Sequence, residues 1–200
     1  MRTGIMGGTF NPVHNAHLLI AELAREEFKL DRIIFITGGN PPHKSSNVSA
    51  VHRFNMTHIA IEGNDSFIDD DFEINRTEKS YTVNTLEYLR EKYPHDELFF
   101  IIGEDSLEDL PKWYEPEKIL EMCTLLVFPR KSHETLLGTL NKMTDKFGKR
   151  IFPISAPVIG LSSTEIRKRI GDSKTVKYMV PDKVLDYIKQ HNLYGEQNEG

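Results

Sequence analysis

Apolar positions along this chain follow two rhythms. Continuous short runs occur at 32–37 (Arg32-Ile33-Ile34-Phe35-Ile36-Thr37), 97–102 (Glu97-Leu98-Phe99-Phe100-Ile101-Ile102) and 124–128, with a first one ending at Ile5-Met6. Such runs suit parallel strands covered on both faces. Between them the spacing changes to three and four. Ile20, Leu23, Ala24 and Phe28 share one helical face, as do Leu136, Leu140, Met143 and Phe147. Residues 49–62 and 82–93 also read as helices. The stretch 67–74 reads as a strand, with Phe72 and Ile74 alternating, and 151–154 as a short one. Pro111 and Pro116 divide 106–122 into two short helices, Pro116 suiting a first helical turn. Helices at 163–170 and 181–191 complete the pattern. The expected fold class is α/β, a doubly wound parallel sheet with a small C-terminal helical part. A single domain over 1–195 is expected, followed by a loose polar tail at 196–200. Gly7, Gly38 and Gly103 each follow a strand, so their loops should gather where such sheets bind ligands, beyond the carboxyl ends of the strands.

The junction of the first strand and helix carries the densest chemistry: Gly7-Gly8-Thr9-Phe10-Asn11-Pro12-Val13-His14-Asn15-Ala16-His17. Glycines there permit strained dihedrals and close backbone approach to a ligand. A helix start offers unpaired N–H groups and a positive dipole end to phosphate. His14 and His17, three apart, can serve one anion from one helical face. They are also a partial zinc chelate, but no third ligand is coupled to them, so no metal ligands are assigned. A second anchor is Leu161-Ser162-Ser163-Thr164-Glu165-Ile166-Arg167. Ser162 and Glu165 have the spacing of a capping box. Three hydroxyls at a helix start with an arginine behind them also form a phosphate cradle.

Composition narrows the partners. The 200 residues carry a formal net charge of −5, and 38% are hydrophobic. A broad nucleic-acid-binding face is therefore not expected. No apolar run has the ~20 residues of a membrane span. Cys123 is the only cysteine, so no intrachain disulfide is available, and it reads as a buried strand-end thiol. The N-terminus lacks a secretory pattern, which suggests the cytoplasm.

The first motif resembles the nucleotidyltransferase signature G-G-T-F-D-P-x-H-x-G-H, with Asn11 in place of the usual Asp and Ala16 in place of the usual Gly. The second resembles that superfamily's I-S-S-T-x-I-R. Pro41-Pro42-His43-Lys44, Lys79-Ser80-Tyr81-Thr82, Ile102-Gly103-Glu104-Asp105, Leu110-Pro111-Lys112-Trp113-Tyr114 and Val180-Pro181-Asp182-Lys183-Val184 resemble bacterial nicotinate-nucleotide adenylyltransferases. The resemblance runs from Gly4 to about Tyr194. It implies that ATP and nicotinate mononucleotide give nicotinate adenine dinucleotide and pyrophosphate, a step of NAD biosynthesis. It further implies His14, His17 and Arg167 as catalytic residues. Gly7, Gly8, Thr9, Phe10, Gly103, Asp105, Ser162, Ser163 and Thr164 would bind ATP, with Mg2+ bridging phosphates largely through water. Asn40, Lys44, Thr82 and Trp113 would bind the acceptor: Lys44 its phosphate, Thr82 as a helix cap its carboxylate, Trp113 its ring from an exposed loop. Arg130 is a weaker candidate for the nucleotide. Plain capping also accounts for Thr82 and Asp105, and core packing for Trp113. The rivals are another phosphate acceptor, such as phosphopantetheine or the amide mononucleotide, and a nucleotide-binding module without catalysis. A homodimer is left open.

Overall fold

The computed structural model describes residues 1–40, 48–148 and 150–195. Six strands are named in chain order: β1 (Arg2–Gly8), β2 (Arg32–Thr37), β3 (Phe67–Asp70), β4 (Glu97–Gly103), β5 (Thr124–Phe128) and β6 (Ile151–Pro153). They form one sheet in the order β3-β2-β1-β4-β5-β6, every pair parallel. The helices are α1 (Asn15–Glu27), α2 (Ala50–Ile61), α3 (Thr82–Lys92), α4 (Glu104–Asp109), α5 (Pro116–Met122), α6 (His133–Phe147), α7 (Ser163–Gly171) and α8 (Asp182–Gln190). A 3-10 turn, Leu110–Lys112, joins α4 to α5. The α/β, doubly wound reading holds, with α7 and α8 as the C-terminal helical part.

The apolar runs explain why both faces of the sheet are covered. Successive strand side chains point to opposite faces. Met6, Ile33, Phe35, Phe99, Ile101 and Leu126 pack with α1, α2, α7 and α8 on one side. Ile5, Ile34, Ile36, Phe100, Ile102 and Val127 pack with the other helices on the opposite side. Strand order reverses between β1 and β4, and a crevice outside the carboxyl ends of the strands opens at such a switch point. The turns after Gly8 and Gly103 flank it.

Two local expectations are corrected. The third strand ends at Asp70 rather than 74. The Asp70 carboxylate accepts the Phe72 N–H at 2.9 Å, which turns the chain. The Phe72 ring then stacks on Tyr88, 4.0 Å between centroids, so its apolar character serves a helix rather than a strand. Gly7 and Gly8 also have ordinary backbone angles, and the left-handed residue is Phe10, at φ 47°. The glycines answer to packing: a Cβ on Gly7 would sit 3.0 Å from the Phe100 ring, and one on Gly8 2.8 Å from the Phe10 ring.

Candidate active site

Pro12 and Val13 lead into α1, whose N-cap is His14 in extended conformation. The backbone N–H of His14 donates to Nδ1 of His17 at 3.2 Å. That nitrogen therefore carries no proton, and the neutral ring has its hydrogen on Nε2. The two imidazoles stack with centroids 3.6 Å apart and planes 16° apart. His14 is 3% exposed. Burial, and then the nearby positive charge of Arg130, push its pKa down to about 4. It is neutral at pH 7, a hydrogen-bonding group rather than a fixed charge. Phe10 turns its ring into the core, 5.1 Å edge-on from the His17 ring. Its expected contact with a nucleotide is thereby restricted to the backbone.

The C-terminal arm meets this turn. Ser163 Oγ donates to the Pro12 carbonyl at 2.8 Å, and Arg167 Nη1 to the Asn11 carbonyl at 2.7 Å. The Tyr194 hydroxyl donates to Asn11 Oδ1 at 2.7 Å. Asn15 donates from its backbone to the Met179 carbonyl and from its side chain to that of Tyr178. Ser162 is the N-cap of α7, its hydroxyl accepting the Glu165 N–H, so the capping expectation holds. Arg167 Nη2 lies 3.3 Å from Thr164 Oγ1 as its donor. Ser163 therefore acts as a strut, while Ser162, Thr164 and Arg167 form the rim at the start of α7.

Across the switch point, Gly103 is the N-cap of α4 and Asp105 lies in that helix's first turn, so Asp105 is not itself the cap. A Cβ on Gly103 would meet the Asp105 carboxylate at 2.5 Å and Arg130 Nε at 3.1 Å. Arg130 pairs with Asp105 at 3.6 Å and lies over the Phe128 ring. Glu104, fully buried, accepts the N–H groups of Arg130 and Lys131 and so fixes the turn that carries Arg130.

A second group of loops adjoins the first. Asn40 and Ser80 exchange hydrogen bonds: Asn40 N–H to Ser80 Oγ at 3.2 Å, and Ser80 N–H to the Asn40 carbonyl at 3.0 Å. Tyr81 and Tyr114 rings lie 5.1 Å apart, bringing the Trp113 turn to the start of α3. Thr82 is the first residue of α3 and not its cap: the cap is Tyr81, whose side chain makes no capping hydrogen bond. Among the described residues no side chain caps the first turn of α3. Trp113 is half-buried, edge-on to Phe100 at 6.5 Å at the core margin, between the exposed Lys112 and Tyr114. Lys44, with Pro41, Pro42 and His43, lies outside the described residues.

Residues 5–169 match the cytidylyltransferase-like family. The chain belongs to that family. A protein of Thermomicrobium roseum named probable nicotinate-nucleotide adenylyltransferase is 39% identical over 96% of this chain and 91% of its own length. One of the same name from Clostridium botulinum strain Loch Maree is 42% identical over 95% of this chain and 97% of its own. The structure of Plasmodium falciparum nicotinic acid mononucleotide adenylyltransferase complexed with NaAD superposes with a TM-score of 0.78. It is 24% identical and the match covers 96% of this chain and 97% of that one, which is a likeness of fold.

Arg53 and Glu73 escaped the sequence reading. Arg53 stands on α2 in register with the buried Met56, Thr57 and Ile61, and a charge on an apolar stripe is the signal that marks it. Glu73 had no such mark, because the stretch around it reads as strand. Among the described residues no three or more His, Cys, Asp or Glu side chains gather as a metal site. Among them also, no helix is long and apolar enough to cross a membrane. Cys123 is buried, which pushes its thiol up to about 12, as expected of an inert core thiol.

Proposed function

We propose that this protein transfers the adenylyl group of ATP to nicotinate mononucleotide, giving nicotinate adenine dinucleotide and pyrophosphate. The observation that carries the reading is the junction at which Ser163 and Arg167 bind the Pro12 and Asn11 carbonyls, two residues or so before the stacked His14 and His17. The two motifs from opposite ends of the chain thereby meet at one turn. The names of relatives such as those of Thermomicrobium and Clostridium support the choice of acceptor.

An oxygen of the acceptor's phosphate attacks the α-phosphorus of ATP, and the bond to the bridging oxygen of the β-phosphate breaks. Such chemistry depends on alignment and on stabilising developing charge. Neutral His14 and His17 donate from the start of α1 to the phosphate oxygens. Arg167, with Ser162, Thr164 and the first N–H groups of α7, holds the leaving pyrophosphate. Gly7, Gly8, Thr9 and Phe10 contribute backbone to the nucleotide. Gly103 leaves room for Asp105 and Arg130, and Asp105 accepts from the ribose hydroxyls. Mg2+ accompanying ATP would be held by phosphate oxygens and water, since no cluster of protein ligands is gathered among the described residues. On the acceptor side, the first turn of α3 at Thr82 receives the nicotinate carboxylate. Trp113 flanks the ring, Asn40 lies on the loop beside it, and Lys44 answers the phosphate.

Pyrophosphate release from ATP, measured with the acid and the amide mononucleotide in parallel, tests both parts. Release with the acid and little with the amide is expected. Equal rates would remove the carboxylate assignment; ATP binding with no release under either acceptor would favour a binding module.

A further inference from the structure

Arg53 is 2% exposed, and its guanidinium is spent on backbone carbonyls. Nη1 donates to Thr9 and to Gly38, each at 2.6 Å; Nη2 donates to Gly39 at 3.1 Å; Nε donates to Val48 at 3.4 Å. Thr9 belongs to the turn that cradles ATP in the proposed reading. Gly38 and Gly39 open the loop that leads to Asn40 on the acceptor side. The same two turns share a backbone bond, Gly38 N–H to the Gly8 carbonyl at 2.8 Å.

Glu73 grips the second turn from the other side. Its carboxyl accepts at 2.6 Å from Thr85 Oγ1 in the first part of α3, and its backbone carbonyl lies against Gly39. A side chain on Gly39 would collide with the Glu73 carbonyl, so this contact admits only glycine. A chain of contacts therefore runs from Thr9 through Arg53 to the Gly38–Gly39 turn by hydrogen bonds, then by close packing to Glu73, and from Glu73 to α3 by a hydrogen bond. Among the described residues none of Arg53's side-chain hydrogen bonds joins one helix to another. Burying an always-charged group on an apolar stripe is costly, and an aliphatic residue would fill the space without that cost. What only a forked cation supplies is the gathering of several loop carbonyls at once.

We propose that Arg53 is a positioning residue that fixes the ATP turn against the acceptor turn and so couples the binding of the two substrates. The inference rests on the proposed adenylyl transfer. Occupying the start of α3 steadies Glu73 and the Gly38–Gly39 turn, and Arg53 passes that order to Thr9. The second substrate then meets a turn already held.

The test uses the full chain with Arg53→Lys, Arg53→Met and Glu73→Gln, the last in case the Arg53 variants fold poorly. Affinity for a non-hydrolysable ATP analogue is measured without and with saturating nicotinate mononucleotide, beside KM, kcat and melting. The wild type should bind the analogue more tightly with acceptor present. Arg53→Met should raise both KM values by about tenfold and bring that enhancement close to one. Arg53→Lys, charged but unforked, should recover less than half of it. Variants that melt earlier yet keep the wild-type KM values and enhancement would overturn the proposal, leaving Arg53 a purely structural group. If the wild type binds ATP but ignores this acceptor, the acceptor reading falls alone. Arg53 is then judged by amide exchange: Gly8–Phe10 and Gly38–Asn40 should open together in Arg53→Met, and opening of one segment without the other would overturn the coupling.

Discussion

In the proposed reading the crevice has a phosphate end and an acceptor end, and the two are built in different ways. At the phosphate end, residues more than 150 apart in sequence are bolted together through Ser163–Pro12, Arg167–Asn11 and Tyr194–Asn11, and every partner is a side chain against a turn. At the acceptor end, Asn40, Ser80, Tyr81 and Tyr114 meet through a reciprocal loop bond and aromatic contact. On that reading the first end holds a triphosphate common to many reactions, which suits a cross-braced turn with its chemistry concentrated in two short motifs. The second must distinguish one acceptor, and its residues come from three separate loops.

Removing a donor at the phosphate end should have the largest effect. His17→Ala is expected to lower kcat by about 10²–10³, as loss of one preorganised donor does elsewhere. The variant also loses the acceptor for the His14 N–H, a capping interaction of about 1 kcal/mol, so melting should fall only slightly. Steady-state rates beside a thermal melt check this. Normal turnover would show that the stacked pair serves packing, and would erase the contrast between the ends.

The same end should be acid-sensitive in a way the acceptor end is not. His14 has its pKa lowered to about 4 in the folded protein against 6.5 for the free group. Between those values the unfolded chain binds the proton and the folded one does not, so lowering pH favours unfolding. The stability is fully present above about pH 6.5 and drains as pH falls toward 4, by up to about 3 kcal/mol. Denaturant melts of wild type and His14→Asn across pH 4–7 measure it. The wild-type slope should be steeper, and equal slopes would mean that His14 is not the buried base described.

At the acceptor end a single change should matter less. Trp113→Ala is expected to raise KM for nicotinate mononucleotide about tenfold while KM for ATP moves little, because the ring contributes roughly one aromatic contact. Its edge-on packing against Phe100 makes some loss of melting temperature certain. A shift in both KM values together would place Trp113 in the core alone and would suggest that the two ends are less separate than their construction implies.

That contrast also explains what could be read from the sequence. Buried parallel strands announce themselves as unbroken apolar runs, so five of the six were legible at close to their bounds. The third misled because Phe72 and Ile74 alternate like a strand, although the Asp70 turn ends it. The residues assigned to phosphate in the proposed reading stood out in the sequence because a turn and a helix start place them within a few positions of each other. Arg53 and Glu73 were not, since their roles exist only once β1, β2 and α3 lie side by side. The roles of Gly7 and Gly8 were legible as glycine but not as to cause: the rings of Phe100 and Phe10, distant or adjacent in sequence, exclude a Cβ there.

The smallest effect expected is at Asn11, where the superfamily motif has Asp. Its side-chain oxygen accepts from the Tyr194 hydroxyl and its carbonyl from Arg167. Both bonds survive Asn11→Asp, and the phenol would then donate to a charged acceptor, a stronger bond. The cations of Arg53 and Arg167 both act on the Tyr194 hydroxyl, so the new carboxylate would be near compensating charge. It would also repel the triphosphate slightly. Stability should stay level or rise by up to about 1 kcal/mol, with KM for ATP raised less than about threefold. Melting and ATP titration of the one variant decide it. A large loss of stability would mean that the Asn11 amide N–H2 is needed where only its oxygen is seen at work, and the phosphate end would then depend on that amide as well as on Arg167.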